Sequence, residues 1–193
     1  DDLLTVWKFR INYLEKQNLV SLEEISTTSF HNDQIVSIAG NAELGLIVSC
    51  DKEMNIVFET LFNSIFIRNV KIDQRISKDP PLINVFKSGT VSVVVPSDRS
   101  SLLTLYDTRG KIIFRRNIEL GRAIETDKIV ENFVNESLVI GIEQFGLVIV
   151  DLCDLTLKNI PITNSNFTGK FSVISKAKEI IAECNGRLDL FKI

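Results

Sequence analysis

Apolar residues along this chain recur with a period of two, in short runs of Val, Ile, Leu and Phe separated by polar or glycine-containing stretches. That is the periodicity of a strand, whose successive side chains point to opposite faces. The best helical candidate, residues 13–24, is short, poorly capped and broken by Gln17 and Asn18, so it reads as part of a polar insert covering 16–30. The pattern predicts an all-β protein.

The strands fall into a repeat. Long, β-branched, often aromatic strands begin at Leu3, Asn55, Leu102, Gly146 and Leu188, 42 to 52 residues apart. Each full interval has the same internal order. The predicted strands are 35–40, 46–50, 55–61 and 65–70; then 82–87, 90–95, 102–107 and 112–117; then 129–134, 138–142, 146–152 and 156–160. The last group has only 171–175, 179–183 and 188–193. Hairpin chemistry joins them: Gly89, Gly110 and the Asn185-Gly186 pair tolerate positive φ. The middle strands, such as 138–142 and 147–150, are apolar continuously, as a sheet covered on both faces requires.

Four-stranded modules of about 40–45 residues, stacked face to face around an axis, make a β-propeller. The predicted fold is therefore an all-β propeller of four-stranded antiparallel blades. A seven-bladed ring takes about 28 strands, more than this chain holds, so the expectation is an incomplete arc in one domain. Its parts are 1–30 (the end of one blade), blades at 31–72, 81–118 and 127–162, and a last, incomplete blade at 171–193. The chain opens inside a strand-like run without Met, which reads as a fragment whose missing blades lie N-terminal; alone, it is expected to be marginal or self-associating.

Composition is that of a globular protein, 45% hydrophobic and 24% charged with four prolines. A net charge of −3, with no basic run longer than Arg115-Arg116, gives no footprint for nucleic acid. No apolar run approaches the roughly 20 residues of a membrane helix. Cys50, Cys153 and Cys184 are odd in number and form no CxxC pair, which reads as free thiols in a reducing compartment. The sequons at Asn135 and Asn166 are patterns that occur by chance.

Particular residues carry a resemblance. Asp1 and Trp7 stand at the separation of the turn aspartate and the strand-closing tryptophan of a WD-type blade. In the next unit, His31, Ser49 and Glu53 occupy the His, Ser/Thr and Asp places, with Glu59 where the tryptophan would be. The resemblance implies that Asp1, Trp7, His31, Ser49 and Glu53 belong to a structural hydrogen-bond network within blades. The run from His31 to Leu61, the stretch Leu103 to Lys111 and the close at 182–190 resemble the C-terminal propeller of BEACH-domain proteins, the beige and neurobeachin group. No glycine precedes His31, Glu53 stands for Asp and Met54 for Gly, and no BEACH domain is visible in these residues.

Candidate chemistry is sparse. His31 is the single histidine, and no His/Cys/Asp cluster has metal-ligand spacing, so a blade-linking histidine is the simpler reading. A Ser-His-Asp hydrolase would have to recruit the same His31, and no Gly-x-Ser-x-Gly elbow exists. Asp51, Glu53 and Glu59 read as a solvated rim rather than paired glycosidase carboxylates. Gly141, Gly146 and Gly169 form no phosphate loop. Phe62 and Phe145 could anchor a partner, but packing between blades is the simpler reading of both. The turns holding Lys52, Asp98, Arg99, Gln144 and Phe145 lie on one rim and are the candidate partner-binding surface.

The functional expectation is a non-catalytic protein-interaction scaffold without cofactor or metal. The BEACH resemblance implies a cytoplasmic protein, peripheral on endomembranes, in vesicle or lysosomal trafficking, with other proteins as partners. The alternatives are a WD-repeat adaptor in a coat or ubiquitin ligase and a propeller hydrolase. A deep axial pocket with converging carboxylates would favour the hydrolase.

Overall fold

The computed structural model describes residues 3–12, 19–72, 79–131, 134–162, 166–174 and 179–192. Among them every regular element is a strand: β1 (Leu4–Asn12), β2 (Leu19–Thr28), β3 (Ile35–Asn41), β4 (Leu46–Asp51), β5 (Asn55–Thr60), β6 (Phe66–Lys71), β7 (Leu82–Val85), β8 (Val91–Pro96), β9 (Ser101–Tyr106), β10 (Ile112–Ile118), β11 (Ala123–Val130), β12 (Glu136–Ile142), β13 (Gly146–Asp151), β14 (Leu157–Pro161), β15 (Phe167–Ile174), β16 (Glu179–Cys184) and β17 (Arg187–Lys192). No helix there is long and apolar enough to cross a membrane.

These strands make five antiparallel sheets in chain order. β1 pairs β2. Three four-stranded meanders follow, β3 to β6, β7 to β10 and β11 to β14, and β15 to β17 close the series. The first strands of successive sheets, β3, β7, β11 and β15, pack side by side on the inside, while β6, β10 and β14 are outer edges. This is the expected arc of propeller blades.

Two corrections concern boundaries. The stretch read as helix or insert holds β2, a strand paired to β1 from Asn12↔Leu19 to Leu4↔Thr28; residues 13–18 lie outside the described residues. The blade expected at 127–162 begins at β11, whose first residue is Ala123, rather than at the strand read over 129–134. Polar Glu125, Thr126, Asp127 and Lys128 hid it, because an inner strand facing a cleft needs no apolar run.

The core lies in three seams between blades. Leu46, Val48 and Phe58 meet Val91, Val93 and Tyr106 in the first. Val94, Leu103 and Leu105 meet Leu138, Ile140 and Val148 in the second. Val139, Leu147 and Ile149 meet Phe167, Phe171 and Ile180 in the third. Alternation in β8 and β9 thus sends odd and even side chains into different seams, both apolar. Each fully buried aliphatic or aromatic side chain contributes about 1.5–3 kcal/mol relative to exposure, and only stacking buries both faces. Glycines permit the closest approach: a Cβ on Gly141 of β12 would stand 2.0 Å from the carbonyl oxygen of Gly169 in β15. At the end of the arc the stacking stops, and Leu188 and Leu190 of β17 are exposed.

Candidate functional site

The buried polar chemistry concentrates in the blade β3–β6. His31 lies in the loop before β3 and is 5% exposed. Its Nε2 is 2.7 Å from Ser49 Oγ in β4. Its Nδ1 is 3.2 Å from Asp51 Oδ2. Asp51 is fully buried; one oxygen accepts from the Asn55 backbone amide at 2.9 Å, and both accept from its side-chain amide. An ionised carboxylate only accepts, so Nδ1 carries the hydrogen facing Asp51. Burial pushes the Asp51 carboxyl up; hydrogen bonds from the Asn55 side chain and backbone and from His31 outweigh it and hold the group below the ordinary carboxylate value.

Ser49, His31 and Asp51 thus have the connectivity of a hydrolytic triad. Their burial removes the chemistry: Ser49 sits in β4 with no exposed surface, so no acyl carbon can reach Oγ at an attack distance. What the set does is mechanical. It straps the loop 29–34 to β4 and, through Asn55, fixes the turn into β5. Lys52 N donates to Gln34 O at 2.9 Å beside it.

A second buried acid lies nearby. Glu59 of β5 is 2% exposed, and Thr28 Oγ1 at the end of β2 donates to its Oε2 at 3.1 Å, tying the first sheet to this blade. Burial pushes its carboxyl up, more than the Thr28 hydrogen bond and the His31 charge pull it down. The solvated rim expected of Asp51, Glu53 and Glu59 therefore holds only Glu53. β4 and β5 are covered on both faces, so two of the three acids face the interior.

The residues read as a blade network divide accordingly. His31 and Ser49 are brought together. Glu53 is exposed in the turn, and Asp51, two residues earlier, takes the acidic place. Trp7 is 55% exposed on β1 and opposite Glu24, outside any buried network. Asp1 lies outside the described residues.

The turn residues share one rim with the loops that lead into each blade. Lys52, Asp98, Arg99 and Gln144 are exposed there. Phe145 is instead half-buried against the second seam, so it is not an exposed anchor. Phe62, read as packed between blades, is 57% exposed at the opposite rim. The rim with Lys52 and Gln144 is tied across blades by Gln144 N to Phe167 O at 2.9 Å and Ala123 N to Ser101 Oγ at 2.8 Å, and within the β11–β14 blade by Glu143 N to Arg122 O at 2.9 Å.

An open cleft of about 490 Å³ runs along the inner strands, bordered by Ser37, Asn84, Glu125, Thr126 and Lys170 among apolar neighbours. Three of its polar groups already have partners: Asn84 Nδ2 donates to Thr126 Oγ1 at 2.8 Å, and Glu125 Oε2 accepts from the Phe171 backbone amide of β15 at 3.2 Å. Glu125 is the one carboxylate among its described lining residues. Among the described residues no group of three His, Cys, Asp or Glu could hold a metal.

No family model matches the chain, and no curated protein matches it. Solved structures do. The computationally designed Ika4 protein superposes with TM-score 0.65 at 13% identity, over 89% of this chain and 98% of that one. The WD40 domain of Toxoplasma gondii coronin gives 0.64 at 12% identity, over 89% and 49%. A chain of a mitotic checkpoint complex gives 0.67 at 10% identity, over 90% and 54%. The chain spans about half the length of the last two. With these neighbours, the sheet order and the seams, the chain has the WD40-type β-propeller fold, as an arc of blades.

Proposed function

We propose that this arc is a non-catalytic scaffold that binds other proteins through the rim carrying Lys52, Asp98, Arg99 and Gln144. The observation that carries the reading is the sealed Ser49–His31–Asp51 set. Among the described residues this set is the one with triad connectivity, and it is spent on holding the loop 29–34 beside the exposed turn at Lys52. The finer reading places the scaffold in a BEACH-type protein, cytoplasmic and peripheral on endomembranes, in vesicle or lysosomal trafficking; the resemblance over His31 to Leu61 supports it. The test is affinity capture with the immobilised chain and with a Lys52→Ala, Arg99→Ala, Gln144→Ala variant of unchanged melting behaviour. A protein retained by the parent and lost by the variant is expected. An identical captured set refutes the rim. Ester or peptide hydrolysis that disappears in Ser49→Ala would refute the non-catalytic reading.

A further inference from the structure

The outer edge of the arc carries a charge and hydrophobic pattern that neither the fold nor the rim requires. β6, β10 and β14 hold Arg68, Lys71, Arg115, Arg116 and Lys158, all exposed, and no Asp or Glu, in a chain of net charge −3. The basic residues keep register: Arg68-Asn69, Arg116-Asn117 and Lys158-Asn159 face Phe58-Val57, Leu103-Leu102 and Ile149-Val148 of the neighbouring strands.

Solubility and edge protection account for the charges but not for the residues beside them. Phe62, Ile65, Phe66, Ile67, Ile112 and Ile113 are between 36% and 57% exposed. Ile67 and Ile113 are each left unpaired by an irregularity in register, a device that re-aims side chains. Along both β6 and β10 the order from the turn is the same, apolar first and basic after. Three apolar residues span about 10 Å of strand, comparable to the roughly 5–10 Å to which interfacial segments sink into a bilayer. The basic residues then stand at the depth of phosphate headgroups.

The two edges form one surface. A Cβ on Gly110, in the turn before β10, would lie 3.1 Å from Arg68 Cδ, so the Arg68 stem runs along that turn. Phe62 lies over Gly45 of the neighbouring turn on the same rim. Two acids share this rim: Glu43, paired with Lys87 at 3.2 Å, and Asp107, whose Oδ1 is turned in to accept the amides of Arg109 and Lys111 at 2.9 Å. The pattern fades at β14, where the exposed Asp154 sits in the preceding turn.

We infer that the outer edges of the blades β3–β6 and β7–β10 form a docking surface for an anionic phospholipid bilayer, with Phe62, Ile65, Ile67 and Ile112 entering the acyl boundary and Arg68, Arg115 and Arg116 meeting phosphates. An acidic extended peptide would satisfy one edge strand. A planar partner uses the same layering on two blades at once, which is what the structure repeats. This surface is separate from the rim of the proposed scaffold.

The test is co-sedimentation of the 193-residue chain with vesicles of phosphatidylcholine alone and with added phosphatidylserine. Binding only to the anionic vesicles, weakening as NaCl rises, is expected. Arg115→Gln with Arg116→Gln should lower partitioning about thirtyfold, at about 1 kcal/mol per basic residue near the surface. Phe62→Ser should weaken binding without changing its salt dependence. Absence of anionic-vesicle binding, equal binding to both vesicles, or binding of poly-glutamate instead of vesicles overturns the inference. Vesicle binding lost with rim capture intact refutes this surface alone; the converse refutes the rim alone.

Discussion

Replacing Gly141 by Ala puts the stacked-blade architecture to a direct test. Gly141 sits mid-strand in β12, opposite Leu147 of β13, on the face turned to β15. The added Cβ would meet Gly169 O at 2.0 Å, Gly169 C at 2.9 Å and Phe171 Cδ1 at 2.9 Å. Ordinary carbon–oxygen contacts lie near 3.3–3.6 Å, so the third seam must widen by more than about 1 Å, and its nearest partners are backbone that cannot swing away. A radial gap of about 0.5–1 Å forfeits a quarter to a half of each dispersion contact, and overpacking of this kind costs about 1–3 kcal/mol. For a chain this long each kcal/mol lowers Tm by about 2–4 °C, giving a drop of about 2–12 °C. Gly40→Ala in β3 is the control, since its Cβ meets only Leu46 O at 3.3 Å and Ile47 Cγ1 at 3.7 Å. Thermal and urea melts followed by circular dichroism compare the two. If Gly141→Ala melts within about 1 °C of the parent and of Gly40→Ala, the two blades do not approach as described.

Four further outcomes rest on the buried polar groups. Asp51 has a native pKa held below its ordinary 3.8, so the stability it contributes is present above that value and lost as pH falls through the lower native one. Glu59 has the opposite sign: burial raises its pKa above 4.5, so its ionised form destabilises at neutral pH. Glu59→Gln should raise the urea midpoint at pH 7, with the gain shrinking as pH falls through the raised native value and gone below about pH 4.5; a gain that grows on acidification contradicts the assignment. Glu136 of β12 is buried and accepts the amides of Lys87 and Ser88 from the preceding blade, both at 2.9 Å. Glu136→Gln turns a donor toward one of them and should cost about 1.5–3 kcal/mol in a denaturant melt; a loss below about 0.5 kcal/mol speaks against the staple. Cys50 is buried in the first seam, and burial, with Asp51 beside it, pushes its thiol up to about 12. Native labelling with a thiol reagent should mark exposed Cys153 and spare Cys50 and Cys184 until denaturant is added; modification of Cys50 in the native state contradicts its place in the seam.

The repeat was legible because its punctuation is chemical. Turns at Gly89, Gly110 and Asn185-Gly186 all show positive φ, and the continuous apolar runs of β12 and β13 mark sheets covered twice. Where legibility failed, the strand had no apolar signature to show. β11 carries Glu125 and Asp127 because their carboxylates accept the amides of Phe171 and Val173 on the next inner strand. β2 was hidden by Ser21, Glu23, Glu24, Ser26, Thr27 and Thr28, which interrupt its apolar positions.

The network failed to declare its acids for a related reason. Alternation separates core from surface only when a strand has one wet face. In β4, β5, β8, β9 and β12 both faces are closed, so a polar residue has no outward side to take. Ser49, Asp51, Glu59, Ser101 and Glu136 are all buried, and each answers with a named hydrogen bond. In the outer strands β6 and β10 the logic inverts. Polarity there carries no structural obligation, so the uniform basic sign and the exposed Ile112 and Ile113 are free to answer to something outside the chain. In this architecture a buried acid on a middle strand is evidence about the blade, while an exposed pattern on an edge strand is evidence about a partner.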